Sequence, residues 1–83
     1  MKNRALVVVK NRMDGTERDF DIPLDISLND FILALSSIYG VDLGEEKMGR
    51  RHLSVENPVT LMKGNRLLRE YGLRDGSIIH LMG

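Results

Sequence analysis

The residues best equipped for chemistry are two histidines, His52 and His80, in a chain without cysteine. Two imidazoles and a carboxylate can hold a divalent metal, and an imidazole beside a hydroxyl can activate it for attack. The spacing favours neither use. Both histidines fall in short strand-like runs, where an ordinary outward-facing position accounts for them. Ser27 precedes an amphipathic run and reads as a helix cap. Ser36, Ser37, Ser54 and Ser77 have no histidine at an informative distance. The glycines are scattered at turns, so no phosphate-cradling loop is present. Glu45-Glu46 sits in a polar, glycine-flanked stretch and reads as a solvated face rather than an acid/base pair. The expectation is no catalytic residue, no cofactor and no metal.

Nucleic acid is also disfavoured. Twelve Lys and Arg balance twelve Asp and Glu, whereas a chain held by phosphates usually shows a basic excess. The basic groupings, Arg50-Arg51 and the set Arg66, Arg69 and Arg74, lack aromatic platforms beside them. The missing cysteines exclude disulfides and thiol chemistry, which suits a reducing compartment. The apolar run Ala5 to Val9 is too short for a membrane span or a secretory segment. A soluble cytoplasmic protein is expected, with no direct membrane insertion. Its 83 residues fit one domain, 1–83, that buries roughly 60% of its unfolded surface.

The elements that must position any site are legible in the pattern. Ala5 to Val9 is rich in β-branched residues and forms a strand. Asp14-Gly15 turns the chain, and the run Glu17 to Leu24 alternates. Phe20, Ile22 and Leu24 point one way, Asp19, Asp21 and Asp25 the other. Pro23 has no amide to donate, which fits an edge strand, and its polar outer face discourages further pairing. Ser27 caps a helix with Asp30 in its first turn. Leu28, Phe31, Ile32, Leu35, Ile38 and Tyr39 form its apolar stripe, and Gly40 ends it. Val41 to Gly49 reads as a solvated loop. A third strand follows from Arg51 to Val55, with Leu53 and Val55 inward and His52 and Ser54 outward. Asn57-Pro58 turns the chain into a short strand from Val59 to Met62. Leu68, Tyr71 and Leu73 then point inward from a short turn, Asp75-Gly76 makes a corner, and a strand closes the chain. Strands sharing one amphipathic helix predict a two-layer α+β domain.

The outer face of that sheet is the more promising feature. If Ile79 and Leu81 of the closing strand face the helix, then Ile78, His80 and Met82 face away. The first strand is apolar at successive positions. One of its two sets, Leu6 with Val8 or Ala5 with Val7 and Val9, must therefore also face away. If these strands are neighbours, an apolar strip containing His80 crosses the open face. Such a strip on a small domain suggests a partner surface. The other reading is that the loop from Val41 to Gly49 covers part of it, or that it is only a few exposed side chains. The candidate patch is His52, Ile78, His80 and Met82.

The run Tyr71-Gly72-Leu73-Arg74-Asp75-Gly76-Ser77-Ile78-Ile79-His80-Leu81, with Asp19-Phe20-Asp21-Ile22-Pro23, the helix Leu28 to Tyr39 and Asn65-Arg66-Leu67-Leu68, resembles the YukD-like group of small bacterial ubiquitin-fold proteins. The resemblance covers the chain from Asp14 onward, and its motifs bear on the fold rather than on catalysis. It implies a ubiquitin-like β-grasp: a mixed sheet of four to five strands packed on one helix, the last strand parallel beside the first. It further implies a cytoplasmic accessory role in type VII (Esx/WXG100) secretion through non-covalent contact with protein partners. His80 and its apolar neighbours match the recognition patch of ubiquitin. Conjugated relatives end in a flexible Gly-Gly tail, whereas Met82-Gly83 directly follows the strand, so conjugation is not expected. Two other readings stay open. One is a protein modifier or sulfur carrier acting through Gly83; the other is a ubiquitin-fold adaptor of an unrelated complex.

Overall fold

A computed structural model describes residues 3–12, 14–40 and 52–81, with the backbone alone at His52. The elements are β1 (Arg4–Asn11), β2 (Thr16–Pro23), α1 (Leu28–Tyr39), β3 (His52–Glu56), β4 (Thr60–Lys63), a short 3-10 helix (Leu68–Tyr71) and β5 (Ile78–Leu81). The strands form a five-stranded sheet in the order β2-β1-β5-β3-β4. β5 runs parallel to β1 and antiparallel to β3, so the closing strand lies at the centre. This is the expected β-grasp arrangement, with the fifth strand present.

Local chemistry explains each junction. At the β1–β2 hairpin, Gly15 takes a positive φ of 73° that other residues disfavour. The Asp14 carboxylate accepts from the Thr16 hydroxyl at 2.6 Å and its amide at 3.0 Å. These bonds hold the Asp14 carboxyl below the usual carboxylate range, the hydroxyl contributing most. Helix α1 starts as expected, with Ser27 Oγ accepting from the Asp30 amide at 3.1 Å. It ends at Gly40, whose left-handed backbone lets its N–H reach the Ser36 carbonyl. Tyr71 braces the segment after β4, its hydroxyl donating to the Lys63 carbonyl at 2.6 Å and accepting from the Arg66 amide. Ser77 is fully buried and satisfied. Its hydroxyl donates to the Asn57 carbonyl at 2.7 Å and accepts from the Arg74 amide at 3.0 Å.

One face of the sheet and one stripe of the helix enclose the core. Val7, Val9, Leu28, Ile32, Leu35, Met62, Leu68, Ile79 and Leu81 are fully buried within it. Phe20, Tyr39 and Tyr71 are half-buried at its margin. The expected helix stripe is shortened: Ile38 is 47% exposed, so the apolar face ends at Leu35 and Tyr39. Beside Tyr39, Arg18 places its guanidinium 5.4 Å from the Phe20 ring and 5.3 Å from the Tyr39 ring. This cation–aromatic stack closes the edge between β2 and the end of α1. The expected loop from Val41 to Gly49 and residue Arg51 lie outside the described residues.

Candidate interaction surface

The register settles which side chains share the open face of the sheet. Ala5, Val7 and Val9 are buried against the helix layer, which turns Leu6, Val8 and Lys10 outward. Opposite them on β2 stand Asp21, Asp19 and Glu17 respectively. On the other side, Val8 aligns with Ile78 and Lys10 with His80. Ile78 then aligns with Glu56, and His80 with Ser54, on β3. Beyond Ser54 comes Leu61 on the β4 edge. One row across the sheet therefore reads Asp19, Val8, Ile78, Glu56; the next reads Glu17, Lys10, His80, Ser54, Leu61.

The apolar centre of this face is Leu6, Val8 and Ile78. Leu6 is 54% exposed, while Val8 and Ile78 are half-buried. Leu61 adds an exposed apolar side chain at the far edge. The sequence singled out Ile78, and the structure places it in this centre. It left open which apolar set of β1 faces outward; that set is Leu6 with Val8.

His80 corrects the expectation of an openly displayed imidazole. It lies on the outer face but is only 9% exposed. Its Nε2 sits 2.8 Å from Oε2 of Glu56, a diagonal contact from β5 to β3. A carboxylate accepts, so Nε2 carries the proton and donates. Nδ1 is buried without a partner among the described residues. The ring is a brace between two strands, with Glu56 as its exposed end. Glu56 is the partner that sequence inspection missed, because the two residues meet only through the sheet order. His52 opens β3 with its backbone opposite Lys63; its side chain and Met82 lie outside the described residues.

The surroundings offer no catalytic constellation among the described residues, and no group of three metal-ligating side chains. A shallow hollow of about 280 Å³ lies where Lys10, Arg12 and Glu17 approach His80. A second, of about 360 Å³, has Leu24 and Leu73 in its floor and Arg4 and Arg74 at its rim. No helix among the described residues is long and apolar enough to cross a membrane.

Known structures share this architecture. A ubiquitin-like domain from tubulin-binding cofactor B aligns with a TM-score of 0.69 at 21% identity, over 96% of this chain and 89% of that one. The UBL domain of yeast Ddi1 aligns with a TM-score of 0.64 at 19% identity, over 100% of this chain and 94% of that one. The C-terminal ubiquitin-like domain of mouse tubulin-specific chaperone e gives a TM-score of 0.63 at 13% identity, over 98% and 89%. At these identities the likeness establishes the ubiquitin-like fold. No curated protein matches the sequence. The family model for the WXG100 protein secretion system (Wss) protein YukD matches residues 6–81, nearly all of the sheet and helix described above. The chain belongs to the YukD family of WXG100 secretion-system proteins.

Proposed function

We propose that this protein is a non-catalytic, ubiquitin-like interaction module that serves a WXG100 (type VII) secretion system from the cytoplasm. It acts by non-covalent contact with a protein component of that system. The observation that carries the reading is the apolar centre Leu6, Val8 and Ile78, left open on the face opposite the helix. A contiguous apolar strip on a small domain has a solvation cost that partner binding relieves. The reading also assigns His52 and Met82 to the patch from the alternation of the sequence, and His80 keeps the strip rigid by tying β5 to β3. Rigid presentation lowers the ordering cost of association.

The reading is tested by affinity capture of the tagged full chain from its native host. One wash is native and the other contains denaturant, with mass spectrometry of both eluates. A secretion-system component recovered only after the native wash supports the proposal. Partners that survive denaturant would show a covalent link and replace it with a modifier role. Components of another assembly alone would make the protein an adaptor elsewhere.

A further inference from the structure

We infer that the outer face docks a basic amphipathic segment of its protein partner, with aliphatic side chains over Leu6, Val8 and Ile78 and a Lys or Arg against Asp19. The inference rests on the docking reading above and adds the chemistry of the partner. Its basis is the charge arrangement around the apolar centre. The β2 side of the face carries Glu17, Asp19 and Asp21, each directly opposite a β1 residue of that face. Glu56 borders Ile78 on the far side.

The two cations nearest the apolar centre are already engaged, and Arg12 lies past the end of β1, at the hollow beside His80. Arg4 holds Asp21, its Nε 3.1 Å from the carboxylate and its Nη2 2.9 Å from the backbone carbonyl. Lys10 approaches Glu17 at 3.8 Å. Arg18 stands opposite Val9, on the helix side of the sheet, over the rings of Phe20 and Tyr39. Lys63 lies on β4, at the other edge of the sheet from Asp19. Asp19 has no ion pair among the described residues, and it sits beside Val8 at the middle of the apolar centre. Among the described residues, the unpaired charge directly beside the apolar centre is therefore the carboxylate of Asp19. A partner with carboxylates there would meet repulsion at contact distance.

The test uses the full chain labelled with ¹⁵N and two synthetic helical peptides. One carries a leucine stripe flanked by lysines; its twin has glutamate at every lysine position. The lysine peptide is expected to shift the amide signals of Leu6, Val8, Asp19 and Ile78, and the twin to leave them in place. Asp19→Lys should weaken the lysine peptide by roughly three- to tenfold, and raising salt should do likewise. Asp19 is exposed and unpaired among the described residues, so this variant keeps the fold; an unchanged melting temperature verifies it. Equal binding of the twin, no binding of the lysine peptide, or shifts elsewhere on the surface would overturn the inference. Concentration-dependent shifts of the same amides without peptide would overturn it in favour of a second copy. Should a secretion component bind through Leu6 and Ile78 yet be indifferent to Asp19→Lys, the docking reading stands and the basic-partner inference falls.

Discussion

The amide of Leu6 donates to Oδ1 of Asp75 at 2.8 Å, joining the first strand to the corner before the last. The Leu6 carbonyl accepts from the Gly76 amide at 2.9 Å, so one corner satisfies both backbone groups of Leu6. Paired strand residues begin at Val8 and Ile78; the Asp75-Gly76 corner extends that parallel contact ahead of the start of β5. Leu6 is also the most exposed residue of the apolar centre, so the same corner that completes the sheet fixes the backbone of the proposed docking surface.

Asp75→Ala is expected to remove the acceptor and lower stability by about 1 kcal/mol, since water reaches this exposed site and replaces part of the bond. Asp75→Asn retains an acceptor oxygen and should lose less. Urea denaturation of the three proteins orders them as wild type, Asn, then Ala. A loss as large for Asn as for Ala would show that the Asp75 charge, rather than its acceptor geometry, holds the corner.

Leu35→Ala should cost roughly 2–5 kcal/mol by leaving a cavity under the sheet. Leu33→Ala, on the solvent side of the same helix, should stay within about 0.5 kcal/mol of wild type. Leu35 is 2% exposed and Leu33 is 58% exposed. Equal losses by chemical denaturation would mean that α1 is rotated from the orientation described.

Ser27→Ala removes the cap on α1 and should lower stability by roughly 0.5–2 kcal/mol, with glycine tolerated better. Helical circular dichroism and the urea midpoint both report it. An alanine variant as stable as wild type would mean that the Asp30 amide finds an equivalent acceptor.

How much was legible follows from which signals are local. Ser27, Gly40 and Asp14-Gly15 act within a few residues of themselves, so the helix ends and the hairpin could be placed from sequence. β2 alternates because one side meets water, and its faces were assigned correctly. β1 does not alternate from Ala5 to Val9, because its outer side is apolar too, and periodicity could not choose between its two sets. That ambiguity is itself the trace of the outward apolar set Leu6 and Val8. The burial of His80 was hidden for another reason: Glu56 reaches it only because β5 lies beside β3. Ile38 continued the helical spacing, but it is 47% exposed, so periodicity alone overstated the length of the buried stripe.

The carboxyl of Asp14 predicts an acid-sensitive hairpin. Its pKa is lowered in the folded chain by the Thr16 hydroxyl first and the Thr16 amide second. A lowered folded pKa means that the stabilisation is present above the unfolded carboxylate value and fades as pH falls through the folded value. Asp14→Asn should therefore differ from wild type near neutral pH and converge with it on strong acidification. Denaturation midpoints measured along a pH series check this, and a gap that widened toward acid would contradict the assigned hydrogen bonds.

The outer face separates two kinds of substitution. Leu6→Glu changes an exposed position and should leave the melting temperature nearly unchanged, whereas Ile78→Glu, half-buried and directly opposite Glu56, should lower it modestly. His80→Asp places a carboxylate in a buried site beside Glu56 and should lower it clearly, because like charges are brought together out of water. Thermal unfolding of the three variants distinguishes them. A destabilised Leu6→Glu protein would move Leu6 from the proposed docking surface into the core.

The most direct test of the central claim is affinity capture from the native host with wild type and Leu6→Glu side by side, each washed natively and in denaturant. The account predicts a WXG100 secretion component with wild type in the native wash. It should be lost in denaturant and lost with Leu6→Glu, while that variant stays folded. Capture that survives denaturant, or that a folded Leu6→Glu protein retains in full, would contradict non-covalent docking on the outer face.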